Sequence, residues 1–114
     1  MDILKINELA ERWDCATDQV IQFENPGFLK VRTLFRDTLA ILEKYRTDKL
    51  VPKEISGMLL EMNSFGWWVS DLKETPLHDH YQEIVSLIFD LNQYFLTCNV
   101  NTEAIMATIE KIDE

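Results

Sequence analysis

The only histidine-containing constellation in this chain of 114 residues is His78-Asp79-His80, where its two histidines stand together. Residues two apart point to different sides of a helix, so these rings diverge. A zinc centre needs third and fourth ligands converging on one point, and the nearest acids, Glu74 and Glu83, are generic neighbours. The spacing favours a helix start instead, where Asp79 meets the positive end of the helix dipole. Cys15 and Cys98 lie far apart, with no partner at metal-ligand spacing. In a reducing compartment such thiols pack as small hydrophobes. The sequence contains no G-x-S-x-G, no phosphate-cradling glycine loop and no C-x-x-C. Its carboxylates are scattered, whereas a general acid or base needs a tuned pair in a pocket. The expectation is a protein with no catalytic residue, cofactor or metal.

Charge says more. The net charge is −9. Residues 1–53 carry nine Lys and Arg against nine Asp and Glu; residues 54–114 carry only Lys73 and Lys111 against eleven acids. Such a surface repels nucleic-acid phosphate and anionic lipid and accelerates encounter with basic proteins. No apolar run approaches the roughly 20 residues that span a bilayer. The start, Met1-Asp2-Ile3-Leu4-Lys5, lacks the pattern of a secretory signal, so a cytoplasmic location is expected.

The elements that position these groups read as helices throughout. Three glycines and three prolines punctuate the chain, and no run alternates strictly apolar and polar. The expected architecture is all-α: a single domain, 1–114, folded as a compact bundle of about five or six helices. A first short helix is expected over 7–14, with Leu9, Ala10 and Trp13 inward. A second, over 17–24, is capped by Thr17 and turns Val20 and Ile21 inward. Asp14 to Ala16 form the turn between them. Asn25-Pro26-Gly27 supplies the next turn. A third helix, over 28–46, buries Val31, Leu34, Phe35, Thr38, Ile41, Leu42 and Tyr45. Pro52 opens a fourth, with Ile55, Met58, Leu59, Met62, Phe65, Val69 and Leu72 on its core side. The fifth covers 78–97 and the last 102–112, with Ile105, Ile109 and Ile112 inward.

Two faces fall outside this core pattern. On the fifth helix, Tyr81, Ile84, Val85, Ile88, Leu91 and Phe95 form the expected core face, opposite a carboxylate stripe of Asp79, Glu83 and Asp90 with no lysine to balance it. On the fourth, Leu60 and Trp67 stack on the side opposite the core, with Asp71 one turn further on. Either that helix is sandwiched between neighbours or the pair is an exposed anchor for a partner. Trp dominates many binding interfaces, and an acid beside it suits a basic partner.

Leu4-Lys5-Ile6-Asn7-Glu8-Leu9-Ala10-Glu11-Arg12-Trp13, followed by a short turn and Thr17 to Ile21, resembles the helix-turn-helix of MerR-like and excisionase-like bacterial regulators. Gly27-Phe28-Leu29-Lys30-Val31 is similar to the segment that follows the recognition helix there. The resemblance covers residues 4–31. It departs where Asp14 replaces the turn glycine, and where Thr17 to Glu24 offers Asp18 and Glu24 but no Lys or Arg. That leaves only Gln19 and Gln22 to read bases and only Lys30, Arg32 and Arg36 to contact phosphate, so the segment reads as a helix-turn-helix-shaped packing unit without DNA binding, and nucleic acid is not an expected partner. In overall character the chain resembles small acidic helical toxin-immunity proteins, with Lys49-Leu50-Val51-Pro52-Lys53-Glu54-Ile55 leading into a Met- and aromatic-rich helix. That resemblance implies an inhibitor that neutralises a basic toxin such as a nuclease, whose substrate its acidic surface mimics.

Three functions follow as expectations. The first is an immunity or antitoxin-type module that binds a basic protein through Leu60, Trp67, Asp71, Asp79, Glu83 and Asp90. The second is a helix-turn-helix transcriptional regulator built on residues 4–36. The third is a structural helper domain whose acidity serves solubility alone.

Overall fold

Trp13, expected near the end of a short helix, sits in the middle of a long one. α1 runs from Asp2 to Ile21 without interruption. The turn expected at Asp14 to Ala16 is absent, because Trp13, Ala16, Thr17 and Val20 form one buried stripe at spacings of three and four. A break there would pull that stripe apart. Thr17 does not cap a second helix; its hydroxyl donates to the Trp13 carbonyl at 2.9 Å, a bond that forms inside a continuous helix. Ile21 lies one position off the stripe and is exposed, as is Phe23.

α1 ends in a Schellman turn. The Glu24 N–H donates to the Gln19 carbonyl and the Phe23 N–H to that of Val20, with Phe23 itself in the left-handed region at φ 60°. A bulky residue costs about 1–2 kcal/mol in that region. Phe23→Gly should therefore raise stability by up to about 1 kcal/mol, read as a higher urea midpoint. No gain would mean that the exposed ring is held by contacts worth as much as its strain. Asn25-Pro26-Gly27 turns as expected: the Asn25 side chain accepts from the Gly27 N–H at 3.0 Å, and Gly27 takes φ 97° ahead of α2.

The computed structural model describes residues 2–48, 50–96 and 101–113. Beyond α1 it contains α2 (Phe28–Lys44), α3 (Glu54–Asp71), a 3₁₀ turn (Pro76–His80), α4 (Tyr81–Leu96) and α5 (Thr102–Glu110). No strand occurs among the described residues, and the fold is all-α. None of the described helices is long and apolar enough to cross a membrane.

The core lies where α1 packs along α3, with α2, α4 and α5 closing it. The stripes expected of α2, α3 and α5 are buried, with Tyr45 and Leu72 only partly so. α3 continues through Gly57 and Gly66. The helices approach closely at Gly66, where a Cβ would meet the tip of the Ile88 side chain across the α3–α4 contact. In α4 the buried side is Ile84, Leu87, Ile88 and Leu91. Leu87 takes the place expected for Val85, and Tyr81 and Val85 are exposed. Phe95 and Cys98 lie outside the residues whose side chains are described.

Caps fix the ends. The Thr75 hydroxyl accepts from the Leu77 N–H at 3.3 Å ahead of Pro76, and Asn101 accepts from the Ala104 N–H at 3.1 Å to start α5. The histidines do similar work. The His78 ring bonds through Nδ1 to the Val69 carbonyl, 3.0 Å away in the last turn of α3, and stacks on Tyr81. The His80 ring bonds through Nε2 to the Asp113 carbonyl at 2.9 Å and sits edge-on to Phe28. The two rings bond to different segments, and no cluster of potential metal ligands occurs among the described residues.

Candidate functional site

Five cations of the N-terminal half are engaged within the chain. Arg12 pairs with Asp37 at 2.9 Å and Lys44 with Asp2 at 2.8 Å, tying α2 to α1. Arg36 pairs with Glu110, and Arg32 approaches Asp113 at 3.9 Å, tying α2 to the C-terminal end. Lys30 donates to the Gln19 side chain at 3.0 Å. Of the residues that resemblance to a DNA-binding unit would assign to phosphate and base contacts, Gln19, Lys30, Arg32 and Arg36 thus bond to one another or to carboxylates. Asp2 accepts from both Lys44, at 2.8 Å, and the Tyr45 hydroxyl, at 2.9 Å. Hydrogen bonds from Lys44 and Tyr45 lower its pKa, and the same bond raises that of Tyr45.

The acids of α3 and α4 have no such partners. Among the described residues no Lys or Arg forms an ion pair with Glu61, Asp71, Asp79, Glu83 or Asp90. Asp71 and Asp79 are exposed as expected, but Glu83 and Asp90 are half-buried rather than outermost. The cause is rotational: the core side of α4 centres between Leu87 and Ile84, which moves Glu83 and Asp90 to its flank. The face turned fully outward is uncharged, with Gln82, Val85, Ser86 and Phe89.

Leu60 and Trp67 do lie outside the core, at 68% and 60% exposure. They are not alone. Phe89 at 63% and Val85 at 45% extend the apolar surface from α3 onto α4. Between the helices runs a groove of about 290 Å³ lined by Asn63, Gly66, Trp67, Ser70, Val85 and Ile88. Its floor is shallow because Gly66 lets the helices close on each other. Asn63 and Asn92 bridge it with reciprocal amide bonds of 3.4 and 3.0 Å. Trp67 stands edge-on to Trp68, centroids 4.9 Å apart, so the exposed indole is braced from behind. Sequence reasoning missed Val85 and Phe89. The available signal was the spacing Ile84, Leu87, Ile88, Leu91, which takes the core face and leaves Val85 and Phe89 outside it.

On the other margin of α3, Glu61 meets Asp14 and Asp18 of α1. Partial burial raises the Glu61 pKa, and the adjacent Asp14 and then Asp18 add to the effect. The folded chain therefore holds this proton more tightly than the unfolded chain. The Glu61 contribution to stability is most favourable below the ordinary carboxylate pKa, about 4.3, and falls as pH rises past it, with its full penalty present at neutral pH. Glu61→Gln should raise the melting temperature at pH 7 by an amount worth a few tenths of a kcal/mol, and leave it unchanged near pH 3. An equal gain at both pH values would show that charge is not the cause.

Comparison of the chain with protein-family models, with characterised proteins and with solved structures finds no match in any of the three.

Proposed function

We propose that this chain is a binding module for a basic protein, of the immunity or antitoxin type, which occludes the working surface of a toxin such as a nuclease. The observation that carries this reading is the combination on α3 and α4 of exposed Leu60, Trp67, Val85 and Phe89 with carboxylates that pair with no Lys or Arg among the described residues. Apolar side chains supply the holding energy of an interface, and an acid surround supplies rapid, sign-selective encounter. A module evolved for solubility alone would intersperse its charges and cover its tryptophan.

The test is capture on the immobilised chain from extracts of its source cell, followed by titration of the captured protein's activity. The expected result is a basic protein inhibited at one-to-one stoichiometry, with association slowing as salt rises. At low salt the chain itself should pass through heparin and bulk duplex DNA. Retention on DNA, abolished by changing Arg32 and Arg36 to alanine, would overturn this reading in favour of a transcriptional regulator.

A further inference from the structure

The apolar surface on α3 and α4 is a strip rather than a spot. The two helices run antiparallel: Gly66 faces Ile88, and Asn63 pairs with Asn92. With 18 and 16 residues at 1.5 Å per residue, they are roughly 25 Å long. Along their outer seam lie Leu60 and Trp67 from one helix and Val85 and Phe89 from the other. The margins have one sign. On the α3 side stands Glu61 with Asp14 and Asp18 of α1; on the far flank of α4 stand Glu83 and Asp90; Asp71 closes one end. From Glu54 to Glu110 the only lysine or arginine is Lys73, in the connection after α3.

The geometry points to this strip as the seat of a cationic amphipathic helix, a segment of about four turns that belongs to a basic protein. The inference rests on the protein-binding reading above and specifies how the partner is held. Two packed helices present an outer furrow with axes about 8–10 Å apart, and a third helix seated in it is about 10–12 Å across with its side chains. Its apolar side meets Trp67, Val85 and Phe89. Lysines or arginines flanking that side then reach outward to Glu61 on one margin and to Glu83 and Asp90 on the other. A neutral apolar helix would leave these acids facing it without compensation, and an acidic one would be repelled.

Charge also argues against a second copy of the chain as the occupant. A two-fold dimer through this strip would bring like margins together, carboxylate against carboxylate, between chains each of net charge −9. Arg12, Arg32, Arg36 and Lys44 are in ion pairs elsewhere on the molecule, which leaves Lys73 as the one cation in the sequence from Glu54 to Glu110.

The test uses three synthetic peptides of about five helical turns: a leucine–lysine sequence patterned as an amphipathic helix, a scramble of the same composition, and a leucine–glutamate version of the first pattern. Binding to the whole chain is followed by titration calorimetry. The patterned basic peptide should bind at least about tenfold more tightly than either control. V85D with F89D should weaken it by at least about tenfold, with helix content and melting temperature preserved because both side chains are exposed. V85S with F89S is the milder pair should the acids disturb folding. Equal binding of the scramble or of the acidic peptide overturns the proposal, as does indifference to both double variants. A dimer in sedimentation velocity that F89D dissolves also overturns it, assigning the strip to a second copy. Suppose instead that the natural partner is captured and inhibited but ignores V85D and F89D, as the peptide does. The strip then fails while the inhibitor reading stands. A strip that takes the patterned peptide while no basic protein is inhibited gives the reverse.

Discussion

Trp13→Ala should cost about 3–5 kcal/mol and leave little folded protein at 37 °C. The ring is fully buried between Phe35, 5.0 Å away and nearly edge-on, and Phe65, 5.2 Å away and tilted. It therefore joins α1 to both α2 and α3. Its Nε1–H donates to the Thr38 hydroxyl at 3.0 Å, and that hydroxyl donates in turn to the Leu34 carbonyl at 2.8 Å. Alanine removes the largest fully buried side chain, breaks that relay and leaves a cavity that three helices cannot close without moving. Thr38→Val isolates the polar part of the effect. It keeps the shape but strands the indole N–H in the core, which should cost about 1–3 kcal/mol. Urea denaturation of the two variants decides the matter. A loss below about 1 kcal/mol for Trp13→Ala would mean that α1 is not the central helix.

Binding should separate into two kinetic halves. Trp67→Ala should speed dissociation from the basic partner by about thirtyfold, corresponding to about 2 kcal/mol, with little effect on association. Trp67 is well suited to this role: its ring is already held against Trp68, so little side-chain freedom is lost on binding. Reversing Asp79, Glu83 and Asp90 to lysine should instead slow association by about tenfold or more at low salt and flatten its salt dependence. Stopped-flow mixing reads both rates. Unchanged association after all three reversals would remove the electrostatic part of the proposed function. Unchanged dissociation after Trp67→Ala would remove the anchor.

Much of this architecture was legible from side-chain spacing. Val31 to Leu42, Ile55 to Val69 and Ile105 to Ile112 announce their buried faces because a helix that packs on one side repeats its apolar positions every three to four residues. The exposure of Leu60 and Trp67 was legible for the same reason, since both fall opposite that repeat. The N-terminal break was misread because Asp14 and Thr17 carry turn and cap chemistry when taken alone. What overrides it is packing of the Trp13, Ala16 and Val20 stripe against α3, and no local window contains α3.

Residue types and spacing alone establish that this protein is helical, where its turn at Asn25-Pro26-Gly27 falls, and that its acidity belongs to residues 54–114. These depend on period, on local φ preference and on composition, all of which act within a few residues. Only the tertiary structure decided which way α4 turns. Two apolar sets share that helix, Ile84 with Leu87, Ile88 and Leu91, and Tyr81 with Val85 and Phe89, and each is hydrophobic enough to be a core. Packing against the rest of the core selects between them: Ile84, Leu87, Ile88 and Leu91 are buried, with Ile88 against Gly66 of α3, and Val85 and Phe89 are left exposed.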